Sequence, residues 1–151
     1  MSVIHIDDSH DLYRSVREGE YTTRNGQITF SASAFNDRDR KPSVDTSALR
    51  TDPRATRKSP EQGVAKLTAV EVRKTSGIPI RNAAGEQIAA HEVDVVHRPI
   101  KDDPEGEPDN DAHCQVECHP VMDHDKRFKR LKEALAGIAN KYGWVVQPGS
   151  P

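Results

Sequence analysis

One dipeptide constrains this chain more than any other, Asn25-Gly26. Both residues tolerate positive φ, so the pair favours a two-residue hairpin loop whose twist suits the strands on either side. Tyr21 to Arg24 reads as the incoming strand and Gln27 to Phe35 as the outgoing one. In the outgoing segment Ile28, Phe30, Ala32 and Ala34 share one face, and Thr29, Ser31 and Ser33 share the other. Antiparallel pairing is therefore the theme, and other segments repeat it. Ile88 to His97 puts His91, Val93, Val95 and His97 on one side and stops at Pro99. Ala112 to Cys118 puts Ala112, Cys114, Val116 and Cys118 on one side. With an acidic loop between them, these two segments read as a second antiparallel hairpin. Val64 to Val72 fits either a strand or a brief helix, and its β-branched content favours the strand. Val3 to Ile6 fits a short strand, and Leu12, Tyr13 and Val16 fit either a first strand or one helical turn.

The last element is a helix. Phe128, Leu131, Leu135, Ile138 and Tyr142 step by three or four residues and form one apolar stripe. Asp123 or Asp125 is placed to cap its start, and Gly143 suits the positive-φ position past its end. Its outer face carries Lys126, Arg127, Lys129, Arg130 and Lys132. Trp144 to Val146 reads as a closing strand. The fold class expected is α+β: a small antiparallel β-sheet or partly open barrel with one C-terminal amphipathic helix packed on it. A chain of 151 residues fits one such domain, spanning residues 1–147, with 148–151 as a disordered tail.

Two long charged loops interrupt the pattern, at residues 36–62 and 98–111. The first is punctuated by Pro42, Pro53 and Pro60 and holds seven Lys/Arg against four Asp between Asn36 and Lys58. Inside it, Ser43 to Leu49 allows one helical turn, and Ser59-Pro60 resembles a helix start that Gly63 ends. The second carries six acidic residues and one lysine in Lys101 to Asp111. Loops of this length mark function or disorder.

Charge and composition narrow the function classes. A formal charge of −2 and a pI near 6.4 argue against a protein bound wholesale to nucleic acid. No apolar run approaches the ~20 residues that a membrane span needs. The N-terminal MSVIHIDDSHD has neither a basic start nor an apolar core, so the expectation is a soluble cytoplasmic protein with no membrane partner.

Four groupings could carry chemistry. His113, Cys114, Cys118 and His119, with His124 nearby, offer soft metal ligands. On a strand, however, Cys114 and Cys118 lie about 13 Å apart at ~3.3 Å per residue, too far to share one metal or one disulfide. No metal is assigned, and both cysteines read as small apolar residues facing a core. Second, His97 and His113 flank the acidic loop near Asp109 and Asp111, where imidazoles serve acid–base chemistry. Setting Val93 and Val95 against Val116 and Cys114 puts the two histidines on opposite faces. Third, Arg14 precedes a segment bearing Ser31-x-Ser33. Fourth, Arg38, Arg40, Lys41, Arg50, Arg54, Arg57 and Lys58 offer phosphate contacts, with no aromatic residues interleaved to stack bases.

The third grouping resembles ADP-ribosyltransferases and related NAD-degrading bacterial toxins, in which an early Arg and a Ser-rich strand line the dinucleotide pocket. That resemblance implies Arg14 there, with Thr29, Ser31 and Ser33 as cofactor-binding hydroxyls. No Glu-x-Glu motif follows, so Glu71 or Glu92 would be an arbitrary choice of catalytic acid. The succession LYR, SASAF, KPSVD, VVHRPI and DAH, then RLKEALA, resembles a set of short prokaryotic proteins to which no activity is assigned. It implies that Arg14, Ser43, Asp45, His97 and His113 form a related polar cluster.

The chain has no Gly-rich phosphate loop, no Gly-x-Ser-x-Gly elbow and no paired-carboxylate motif. The leading expectation is a small binding or accessory protein that acts through a protein partner and needs no cofactor. The alternatives are a small enzyme acting on a nucleotide or nucleic acid, built on that polar cluster, and a metal-binding protein using residues 113–124.

Overall fold

The computed structural model describes residues 2–151. Seven strands form one open sheet, and every neighbouring pair is antiparallel. In chain order the strands of the whole fold are β1 (Asp11–Val16), β2 (Tyr21–Arg24), β3 (Gln27–Phe30), β4 (Ser43–Thr46), β5 (Gly63–Thr68), β6 (Ile78–Arg81), β7 (Gln87–His97), β8 (His113–His119) and β9 (Trp144–Val146). The sheet runs β6-β7-β8-β4-β1-β5-β9, and β2 and β3 pair separately as a hairpin. A five-residue helix α1 (Ala69–Arg73) and the long helix α2 (Asp125–Tyr142) complete the α+β architecture.

The Asn25-Gly26 hairpin forms as its sequence dictates, with φ of 54° and 76° at the two turn residues. Its outgoing strand is shorter than the alternation predicts. It ends at Phe30, and Ala32–Phe35 turn into a 3-10 helix that buries Ala34 and Phe35. Ser31 and Ser33 therefore do not sit on a strand face. Their hydroxyls lie 2.5 Å apart, and Ser31 donates to the Glu20 carbonyl at 3.0 Å.

Helix α2 crosses the sheet's inner face, lying on β5 and on the β3 and 3-10 segments. Phe128, Leu131, Leu135 and Ile138 are buried there, which contributes about 6–12 kcal/mol at ~1.5–3 kcal/mol per large apolar side chain. Tyr142, at the end of the stripe, is 40% exposed. The N-cap is His124, whose Nδ1 accepts from the Lys126 N–H at 3.2 Å, in place of Asp123 or Asp125. Asn140 ties the helix to β3, accepting from the Phe30 N–H at 2.6 Å. Trp144 packs edge-on against Tyr21 and Phe30, with ring centroids 4.9 and 4.8 Å away.

Strand β5 gives way to α1 within the segment read as one strand. Thr68 accepts from the Glu71 N–H and its hydroxyl donates to the Glu71 carboxylate, an N-cap that outweighs the β-branched Val70 and Val72. Val3 to Ile6 is not a strand, although the Ile4 N–H donates to His97 Nδ1 and Ile6 is buried.

The hairpin of β7 and β8 forms with Val95 opposite Val116 and Val93 opposite Cys118. A two-residue offset from the expected pairing leaves every side chain on its expected face. His91, Val93, Val95 and His97 are buried, while Glu92, Asp94 and Arg98 point outward. Beyond Glu92 the hairpin of β6 and β7 continues past β8 as an arm, and Arg81 to Ala89 are all exposed.

Candidate functional site

The functional candidates gather around β4, a strand inside the segment read as a long loop. Its four residues join β8 to β1: Val44 faces Cys114 and Asp45 faces His113 on one side, and Asp45 faces Tyr13 on the other. Side chains at alternate positions take opposite faces, so Val44 enters the core while Ser43 and Asp45 point to the outer face.

Asp45 is 6% exposed and serves as a hub. It accepts from Thr56 Oγ1 at 2.8 Å, from Asn110 Nδ2 at 2.8 Å and from Arg50 Nη2 at 3.3 Å. Arg50 also donates to Asn110 Oδ1 at 2.7 Å. One buried carboxylate thus anchors both long charged loops to the sheet. Other arginines of the first loop are spent in similar ways. Arg40 pairs with Asp125, Arg54 donates to the Pro151 carbonyl, and Arg57 donates to the Ser150 carbonyl. The 148–151 segment, read as a disordered tail, lies against this loop, with the Gly149 N–H donating to the Pro60 carbonyl at 2.8 Å. A 3-10 turn at Pro53–Thr56, capped by Asp52, lies against β1, β5 and β9 and covers their outer face.

Ser43 is held from two sides. The Arg14 guanidinium reaches its carbonyl at 2.9 Å, just where the ladder between β1 and β4 stops. Asp37 accepts the Ser43 N–H at 2.8 Å and pairs with Arg14 Nη2 at 2.6 Å. Arg14 Nε donates to the Ala34 carbonyl, and its guanidinium sits 5.5 Å from the centre of the Phe35 ring. With the backbone so fixed, the Ser43 hydroxyl lies 3.0 Å from His113 Nε2. His113 Nδ1 donates to the Arg98 carbonyl at 2.7 Å, which leaves Nε2 as the acceptor for that hydroxyl. Arg14, Ser43 and His113 are thereby linked in one chain of hydrogen bonds, with Asp45 beside His113.

His97 stands apart. It lies in the core, where Nδ1 accepts from the Ile4 N–H at 3.0 Å and Nε2 donates to the Asp111 carbonyl at 2.7 Å. Both nitrogens are committed to holding chain segments. His91, buried on the same face, donates to the Pro120 carbonyl at 2.7 Å and accepts from Arg127 at 3.0 Å, clasping the start of α2. Ser33 and Arg14 share the lining of a polar groove of about 400 Å³ with Arg17, Glu20 and Asp37. The Arg14 guanidinium is already consumed there by Asp37 and two carbonyls.

Cys114 and Cys118 face the core from β8. Burial, with the nearby Asp45 charge, pushes the Cys114 thiol up to about 12, and burial pushes Cys118 up to about 11. Neither thiol is a thiolate near neutral pH, the form that metal ligation and nucleophilic attack require. Among the described residues, no three His, Cys, Asp or Glu side chains gather in a metal-binding arrangement.

The remaining feature was not legible in the sequence. On the outer face of β7 and β8, beside α1, lies a groove of about 590 Å³ lined by Arg73, Glu92, Asp94, Val96, Glu117, His119 and Val121. Asp94 pairs with Arg73 at 2.8 Å, and Glu117 takes Arg98 in a two-pronged contact at 2.9 and 3.0 Å. Glu92 is exposed and has no partner among the described residues. Val121 is 62% exposed at the rim. The acidic 101–111 loop extends from the same pair of strands, whereas the cationic side of α2 lies across the sheet from the groove. Among the described residues no helix is long and apolar enough to cross a membrane. No protein-family model matches this chain, and neither the curated proteins nor the solved structures yield a significant match.

Proposed function

We propose that this is a small binding protein whose working surface is the outer face of β7 and β8, and that it takes an extended cationic segment of a protein partner. The observation that carries this reading is the groove beside α1, with Glu92, unpaired among the described residues, at its rim, apolar Val96 and Val121, and Asp94 and Glu117 already paired with Arg73 and Arg98. Such a surface gives apolar contact along a chain segment and charge selection at its edges. A polyanion is disfavoured at this face, and the loop arginines that could bind phosphate are largely engaged within the fold.

Fluorescence anisotropy with three labelled probes tests this reading: a Lys/Arg-rich peptide, an Asp/Glu-rich peptide of equal length and a single-stranded oligonucleotide. The cationic peptide should bind, binding should weaken as salt shortens the screening length from about 8 Å to about 3 Å, and Glu92→Lys should abolish it. Equal binding of the acidic peptide, or preference for the oligonucleotide, contradicts the proposal.

A further inference from the structure

We infer that Ser43 is a nucleophile with His113 as its general base, able to take an acyl group from an ester. The inference is independent of what the groove binds. It rests on the relay from the Ser43 hydroxyl to His113 Nε2 at 3.0 Å and from His113 Nδ1 to the Arg98 carbonyl at 2.7 Å. A serine alcohol is a weak nucleophile until a neighbouring base takes its proton, and that base must be locked in the tautomer with its acceptor nitrogen facing the alcohol. The Arg98 carbonyl fixes this tautomer, in the place a carboxylate takes in the more familiar arrangement. The Ser43 backbone is clamped on both sides, N–H to Asp37 and carbonyl to Arg14, which fixes the Cα from which the hydroxyl reaches His113.

Other features of the surroundings fit the same chemistry. Ser43 and His113 are each only partly buried, so an ester can approach. Gln115 lies directly across from Ser43 on β8 and is the cross-strand neighbour of Val96, which lines the groove. The Gln115 amide is engaged by no other described residue and, as the cross-strand partner of Ser43, is the donor we assign to a developing oxyanion.

Ser43 Oγ bonds to the ester carbonyl carbon, His113 Nε2 takes the hydroxyl proton, and the carbonyl π pair moves onto oxygen beside the Gln115 amide. On collapse the carbon–oxygen bond to the leaving alcohol breaks, and the imidazolium returns its proton to that alcohol. Water attacks the acyl-Ser43 ester by the same path and restores the serine hydroxyl.

The test uses the whole chain and a fluorophosphonate probe, in which Ser43 Oγ would displace fluoride from phosphorus. Intact-protein mass spectrometry should show one adduct per chain, and peptide mapping should place it on Ser43. Ser43→Ala should remove it, and His113→Asn should slow it by about 100-fold or more, the span a positioned general base provides. The Ser43 hydroxyl bonds only His113 in the fold, so circular dichroism should show the alanine variant folded. Should that variant fail to fold, the mapped adduct and the His113→Asn rate on their own decide the matter. Absence of an adduct on Ser43, labelling spread evenly over other serines, or a His113→Asn rate equal to wild type overturns the inference.

Discussion

Replacing Asp45 with alanine should loosen the outer face without touching the helix. Its side chain is 9% exposed and receives Thr56, Asn110 and Arg50. Hydrogen bonds to a charged group contribute about 1.5–3 kcal/mol each, but the three are not additive, since the Thr56 hydroxyl and the Asn110 amide can turn to water. The cost that remains is mostly Arg50, which is 19% exposed and loses its counter-charge. Removing one member of a largely buried ion pair costs about 3–5 kcal/mol, and at about 2–4 °C per kcal/mol the midpoint should fall by about 6–20 °C. Calorimetry reads this loss directly. Hydrogen exchange reads its location: residues 50–57 and 110–112 should exchange faster, while α2 keeps its protection. Asp45→Asn keeps one acceptor oxygen and should lose about half as much stability. A midpoint within about 2 °C of wild type for the alanine variant, or unchanged exchange in both loops, refutes Asp45 as the anchor.

Three further perturbations follow from the packing and electrostatics. A Cβ on Gly63 would meet the Trp144 ring, with Cε3 at 2.7 Å and Pro148 Cδ at 2.9 Å; Gly63→Ala should cost about 1–3 kcal/mol by overpacking and shift Trp144 fluorescence, and a neutral substitution contradicts the contact. Ellman's reagent at pH 8 should find no reactive thiol in the native protein and both Cys114 and Cys118 after denaturation, because burial holds the two thiols at about 12 and 11. Hydrogen bonds from Lys141, Tyr142 and Thr68 hold the Glu71 carboxyl down at about 2, against 4.5 for an ordinary glutamate. In the window between those values the unfolded chain binds more protons than the folded one, so the contribution of Glu71 is fully present above about pH 4.5 and is lost as pH falls towards 2. Glu71→Gln should flatten stability against pH across that window in chemical denaturation, and an unchanged slope counts against this tether.

What the sequence made legible is what local rules control. Asn25-Gly26, the stripe of α2 and the alternation of β7 and β8 each carry their own period or turn chemistry, and each forms as read. Strand β4 was hidden because Val44 is its lone apolar residue, and its outer face is polar. Its place in the sheet comes from pairing with β8 about 70 residues away, which no local pattern encodes. Strand β6 was hidden by Pro79 inside a turn-rich stretch, an arrangement that an edge strand tolerates. The Ser31-x-Ser33 alternation misled because small residues fit a 3-10 turn as easily as a strand. At the candidate site, Ser43, Asp45 and His113 share one face and Arg14 clamps Ser43 from behind. His97 shares the alternation of its strand but lies on the other side of the sheet. The groove beside α1 arises from three separated segments, so nothing short of the fold could outline it.

The most direct measurement of the binding reading is a titration of isotope-labelled protein with a Lys/Arg-rich peptide, followed by amide chemical shifts. The shifts should cluster on Glu92 to Val96, Glu117 to His119 and Val121, and leave the outer residues of α2 unmoved. Shifts confined to α2, or none at saturating peptide, would place the working surface elsewhere.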